Sequence, residues 1–122
     1  MANKTTLVLG ASENPERYSN KAIKMLRKYG HDVSAVGKDA GKVEDVIIHT
    51  KANTGLKVDT VTLYLNPQVQ KNYYDEILKL KPRRIVFNPG TENEELKKLA
   101  ELNGIEAAEA CTLVLLSTGQ YW

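Results

Sequence analysis

The chain has 122 residues, a formal net charge of +2, 42% hydrophobic residues and 26% charged residues. That is the length of one compact domain, expected to run over 1–122, and the composition of a folded globular chain rather than a disordered one. Lysines and arginines are scattered and no apolar run is long enough to span a bilayer, so neither a nucleic-acid partner nor a membrane span is expected.

Thr6-Leu7-Val8-Leu9 is a short apolar, β-branched run that suits a buried strand of a parallel sheet. It ends in three small residues, Gly10-Ala11-Ser12, followed by the polar loop Glu13-Asn14-Pro15-Glu16-Arg17-Tyr18. A helix is predicted from about Asn20 to Tyr29, with Ser19 as its N-cap. Ala22, Ile23, Leu26 and Tyr29 share its apolar face, and Gly30 closes it. Val33 to Val36 is the second strand and stops at Gly37-Lys38-Asp39. These three elements form a β-α-β crossover unit.

Gly41 to Leu56 is the least legible stretch, with Val46-Ile47-Ile48 a candidate short strand and Asn53-Thr54-Gly55 a turn. Val58 to Leu65 alternates and is β-rich, so a strand is predicted, ended by Asn66-Pro67. Pro67 also suits the first turn of the next helix, which carries Val69, Tyr73, Ile77 and Leu80 at spacings of three and four. Arg84 to Phe87 is a further buried strand, closed by Asn88-Pro89-Gly90. Thr91 with Glu94 reads as a capping box for a helix whose buried side is Leu96, Leu99, Ala100 and Leu102. Ile105 to Ala108 is a last edge strand, and Cys111 to Trp122 opens on an apolar run that forms a short helix or an extended segment.

This order predicts an α/β fold: one Rossmann-like, doubly wound, mainly parallel sheet with helices on both faces. Such sheets place ligands at the carboxyl ends of their strands. Those ends are Gly10-Ala11-Ser12, Val36-Gly37-Lys38, Leu65-Asn66-Pro67 and Asn88-Pro89-Gly90, all small or turn-forming, so a ligand can approach the backbone. The first turn, ahead of a helix N-terminus, suits a phosphate, although it lacks the third glycine of the dinucleotide fingerprint and is also what a tight turn without a ligand looks like. Arg17 is either an anion contact or a solvated loop charge. Asp39 after the second strand favours the ribose hydroxyl of NAD, whereas Lys38 suits a ribose phosphate.

The stretch Gly10 to Val33 (GASENPERYSNKAIKMLRKYGHDV), with LYLNP, NPGTENEELKKLAELNGIE and the late Cys111, resembles the small stand-alone CoA-binding proteins. These share a Rossmann-like fold with the CoA-binding domain of succinyl-CoA synthetase. The resemblance implies that Gly10, Ala11 and Ser12 approach the CoA diphosphate with backbone and hydroxyl donors. It places Arg17, of the Asn-Pro-x-Arg pattern, on a phosphate with Tyr18 beside it. Asn66 and Pro67 line the adenine or pantetheine channel, and Gly90 borders the pantetheine arm. The family has Pro and often Lys after the second strand. Here Gly37 and Lys38 follow Val36 without a Pro, and Lys38 is the candidate cation for that end, with Lys42 in reserve.

No catalytic constellation is evident. Cys111, the only cysteine, excludes an internal disulfide and a multi-cysteine metal site, and a lone cysteine is more often a small buried side chain than a nucleophile. His31 and His49 fall in no catalytic motif and are expected to be structural or exposed. The phospho-histidine and ATP-grasp machinery of the larger synthetases has no counterpart, so no synthetase activity is expected. Tyr121-Trp122 either caps the pocket or a dimer interface or is a frayed end. The N-terminus lacks the apolar core of a signal peptide, and a cytoplasmic location is expected. The expected function is non-catalytic binding of CoA or acyl-CoA for sensing, storage or delivery, without a metal; the alternative is an NAD(P)-binding enzyme or redox regulator. A homodimer or a larger catalytic partner chain is the expected protein partner.

Overall fold

In the computed structural model, which describes residues 3–122, the chain forms a seven-stranded sheet. The elements are β1 (Thr6–Leu9), α1 (Tyr18–Lys28), β2 (Val33–Val36), β3 (Gly41–Val43), β4 (Val46–His49), β5 (Thr60–Leu63), α2 (Pro67–Gln70), a 3₁₀ turn (Lys71–Tyr73), α3 (Tyr74–Leu80), β6 (Arg84–Phe87), α4 (Glu94–Leu102), β7 (Glu106–Glu109) and α5 (Thr112–Ser117). Strand order is β3-β4-β2-β1-β5-β6-β7. Every neighbouring pair is parallel except β3 with β4, where Lys42 faces Ile47. The Rossmann-like α/β architecture expected from the element order is therefore present, with an antiparallel hairpin added at one edge.

The four central strands are buried along their length or at their inner ends, because helices cover both faces. On one face Leu7, Leu9, Leu63, Ile85 and Phe87 pack with Ile77 and Leu80 of α3 and Leu96 and Ala100 of α4. On the other, Val8 and Ala35 pack with Ile23 and Leu26 of α1, Leu116 of α5 and Tyr121. That second face also carries a buried polar seam. Asn88 donates from Nδ2 to the Thr62 hydroxyl and the Leu63 carbonyl, and its Oδ1 accepts the Thr112 N–H. All of its polar capacity facing the interior is engaged, which removes the cost of burying an amide.

Several local expectations are corrected. α1 starts at Tyr18, one turn position before the expected Ser19 cap, and Arg17 at the N-cap position makes no side-chain cap bond. The α4 cap is Asn93, whose Oδ1 accepts from the Glu95 and Leu96 N–H groups, while the Thr91 hydroxyl donates to the Asn88 carbonyl instead. Leu102 is 84% exposed rather than part of the buried side of α4. The helix after Pro67 is in three pieces, and Gln70, not Val69, is on its inward side: Gln70 is fully buried and Val69 is 37% exposed. In the stretch Gly41 to Leu56 the expected strand at Val46-Ile47-Ile48 is present as β4, and it pairs with β3 in a hairpin pinned to α1 by two hydrogen bonds from the Arg27 guanidinium to Asp45. Tyr121 is neither frayed nor at the pocket: it is fully buried, with the Arg84 guanidinium 4.4 Å from its ring centroid. Trp122 packs against His31 and Tyr29. No helix among the described residues is long and apolar enough to cross a membrane.

Candidate ligand crevice

β1 has β2 on one side and β5 on the other, so the strand order reverses at this point of the sheet. A crevice of about 810 Å³ lies against the carboxyl ends of these strands, the place where open α/β sheets hold ligands. Its walls are the β1–α1 loop from Gly10 through Ser12 to Asn14 and from Glu16 to Ser19, the β2–β3 connection Lys38-Asp39-Ala40, the end of β5 at Tyr64-Leu65-Asn66, and Pro89-Gly90-Thr91 after β6.

The bottom of the crevice depends on two glycines. Gly10 has φ +94°, and a Cβ there would lie 2.9 Å from the Tyr64 backbone, so only glycine lets β1 turn beside β5. At Gly37 a Cβ would run into the Ala11 carbonyl oxygen. Gly37, expected at the ligand, is buried under the loop and does not line the crevice. Pro67 is also outside the lining; it occupies the first turn of α2, where its missing N–H is harmless. Gly10, Ala11, Ser12, Arg17, Tyr18, Lys38, Asn66 and Gly90 all line the crevice.

The hydrogen bonds revise which groups are available as donors. The Gly10 and Ala11 N–H groups both donate to the Val36 carbonyl, at 2.9 and 3.0 Å, and are therefore committed to the sheet. The Asn14 N–H donates to the Ser12 hydroxyl, and the Glu16 and Arg17 N–H groups go to Asn14. The N–H groups of Ser12, Glu13, Tyr18 and Ser19 find no acceptor among the described residues. Two of these belong to the first turn of α1, which carries no acidic residue and no side-chain cap. An uncapped, acid-free helix start leaves its partial positive charge to whatever enters the crevice. Arg17, exposed at the same point and without a carboxylate partner among the described residues, adds a full charge.

Asn20 and Gln70, neither singled out by the sequence reading, hold these walls. Asn20 is 2% exposed and donates from Nδ2 to the Ser12 carbonyl at 3.0 Å. Its signal in the sequence is a polar residue three before Ile23, on the apolar side of α1. Gln70 donates from Nε2 to the Leu65 and Thr91 carbonyls, both at 2.8 Å, tying the β5 and β6 walls together. The carboxylates of the lining are Glu13, Glu16 and Asp39, and its cations Arg17 and Lys38. Glu13 is engaged, accepting the Lys42 N–H at 3.0 Å. Burial pushes the Tyr64 hydroxyl far above the usual range, so it stays protonated near neutral pH. Cys111 is partly buried and outside the lining; His31 is buried in the core and His49 is exposed at the end of β4. No group of three or more metal-ligating side chains occurs among the described residues.

Strand order and crevice together define a Rossmann-like α/β domain open at its switch point. Residues 4–117 match the CoA binding domain family, and the chain belongs to that family. Its fold is similar to that of an uncharacterized protein of solved crystal structure, 47% identical over 99% of this chain and 100% of that one, with a TM-score of 0.95. A hypothetical protein from Pyrococcus horikoshii OT3 is 25% identical over 95% of this chain and 83% of that one, with a TM-score of 0.86. The same fold recurs in the Ca. Korarchaeum cryptofilum dinucleotide-forming acetyl-coenzyme A synthetase 1, in complex with phosphate and ADP, at 20% identity and a TM-score of 0.69 over 88% of this chain and 26% of that one. No curated protein matches the chain.

Proposed function

We propose that the chain binds CoA or an acyl-CoA in this crevice and carries out no chemistry on it, acting in the sensing, storage or delivery of the thioester carrier. The observation that carries this reading is the set of four unengaged N–H groups, at Ser12, Glu13, Tyr18 and Ser19, beside Arg17 in the crevice of a CoA binding domain family member. A diphosphate needs several convergent donors and little bulk, and a helix start preceded by small residues supplies both. Lys38 on the opposite wall is placed for the ribose phosphate, and Leu65, Asn66, Pro89 and Gly90 form a channel wall for the pantetheine arm. The absence of chemistry is proposed because neither a histidine nor Cys111 lines the crevice and no hydrogen bond among the described residues joins a lining hydroxyl to a lining carboxylate.

A nicotinamide dinucleotide is the second reading, favoured by Asp39 at the end of β2. Isothermal titration with CoA, acetyl-CoA, NAD and NADP separates the two. The proposal expects heat and saturation with CoA or its acyl form and none with the nicotinamide nucleotides; saturation by NAD or NADP alone overturns it. Co-purification of a larger chain on the tagged protein would instead favour a role as the ligand-holding subunit of a catalytic complex.

A further inference from the structure

We infer that Asp39 is a specificity residue that reads the free ribose 2′-hydroxyl of the ligand and rejects a phosphate at that position; the inference rests on the proposed binding of CoA. Lys38 and Asp39 are consecutive, both exposed and both on the crevice wall. Their loop is short and held at both ends. The Gly37 N–H donates to the His49 carbonyl at 2.9 Å, and Gly41 pairs with Ile48 in the hairpin. Neither the Lys38 ammonium nor the Asp39 carboxylate has a hydrogen bond or ion pair to a described residue. Glu13, the other acid facing this loop, is occupied by the Lys42 N–H, and Glu16 lies across the crevice on the loop before α1.

A cation and an anion on adjacent crevice-lining residues correspond in charge and order to the two adjacent substituents of the CoA ribose. The 3′-phosphate is a dianion for Lys38, and the 2′-hydroxyl is a donor for the Asp39 carboxylate. A carboxylate at the end of the second strand is chemically suited to accept from a ribose hydroxyl. Moving the phosphate from 3′ to 2′ sets a dianion against Asp39 and leaves Lys38 a neutral hydroxyl. The pair thus selects the position of the phosphate, not merely its presence.

The test is isothermal titration of the wild-type chain, Asp39→Asn and Asp39→Ser with CoA, with 3′-dephospho-CoA and with the isomer of CoA carrying its phosphate at 2′. Asp39 is exposed, so both variants are expected to keep the wild-type unfolding midpoint. Wild type is expected to bind CoA about tenfold or more tighter than the 2′ isomer, and both variants to shrink that ratio by about tenfold, between the scales of a charge contact in bulk water and near a protein surface. A wild-type ratio near one, or a ratio unchanged in both variants, overturns the inference while leaving CoA binding intact. Failure of the wild type to bind any of the three ligands overturns the CoA reading itself and the inference with it.

Discussion

The Ala11 carbonyl oxygen occupies the space that a side chain at Gly37 would need. The β1–α1 loop therefore rests directly on the end of β2, held there also by the Gly10 and Ala11 N–H bonds to Val36. Gly37→Ala has no flexible neighbour to push aside, because the obstacle is backbone. Its expected cost is about 1–3 kcal/mol, the range for overpacking a tight site. Urea unfolding would measure it. The same displacement lifts Ser12 and the start of α1, so weakened CoA binding is expected to accompany the loss of stability.

Arg17 offers the converse case, a residue whose loss touches the ligand and not the fold. It is exposed, and its side chain makes no hydrogen bond to a described residue. Arg17→Ala is expected to weaken CoA binding by about 1.5–3 kcal/mol, as for a charge-assisted hydrogen bond, with an unchanged unfolding midpoint. Equal dissociation constants for the two proteins would remove Arg17 from the site.

Tyr121 closes the face opposite α3 and α4. It is fully buried, its hydroxyl is hydrogen-bonded to the Thr6 hydroxyl, and its carbonyl accepts from Arg84. Tyr121→Ala removes the aromatic partner of a buried guanidinium as well as a large side chain. A loss of about 3–5 kcal/mol is expected, the usual cost of truncating a buried aromatic, and is read from the denaturant midpoint.

His31 makes stability depend on pH. Burial, and next the positive charge of Arg84, lower its pKa, and its Nδ1 accepts the Lys4 N–H, so the neutral form is the one the fold holds. Below about pH 6.5 the unfolded chain takes up a proton on this side chain while the native chain resists. Stability is therefore full above that pH, falls as pH drops through the window below it, and levels off once the native His31 is also protonated. Asp45, held below the usual carboxylate range by the Arg27 hydrogen bonds, acts only in more acidic solution. Unfolding midpoints between pH 5 and 8 test this: the slope is expected in the wild type and flattened in His31→Gln.

What the sequence made legible were the features that repeat over several residues. The apolar runs at Thr6–Leu9 and Arg84–Phe87, the alternating β-rich stretch Val58 to Leu65, of which Thr60–Leu63 is the strand, and the 3.6-residue pattern of Ile23 and Leu26 mark buried strands and a helix whatever surrounds them. From these the α/β order and the crevice at the strand ends follow. Of the β3–β4 hairpin only the apolar run at Val46-Ile47-Ile48 was legible; β3 is three residues with no apolar run, and the anchor, the Arg27–Asp45 pair, joins positions far apart in the chain. The donor set differs from the expectation for a related reason. Whether the Gly10 and Ala11 N–H groups are free depends on where the Val36 carbonyl falls in the β1–β2 register, which no local motif encodes. Gln70 was passed over for Val69 since apolar residues are expected inside. Its two carbonyl partners at Leu65 and Thr91 are what make a buried amide favourable there.

The most direct test of the central claim is an amide ¹H–¹⁵N chemical-shift titration of the wild-type protein with CoA. The account predicts saturable shifts largest at the Ser12, Glu13, Tyr18 and Ser19 amides, with those of Gly10 and Ala11, committed to Val36, moving less. No shifts at saturating CoA, or shifts centred away from the β1–α1 loop, would contradict it.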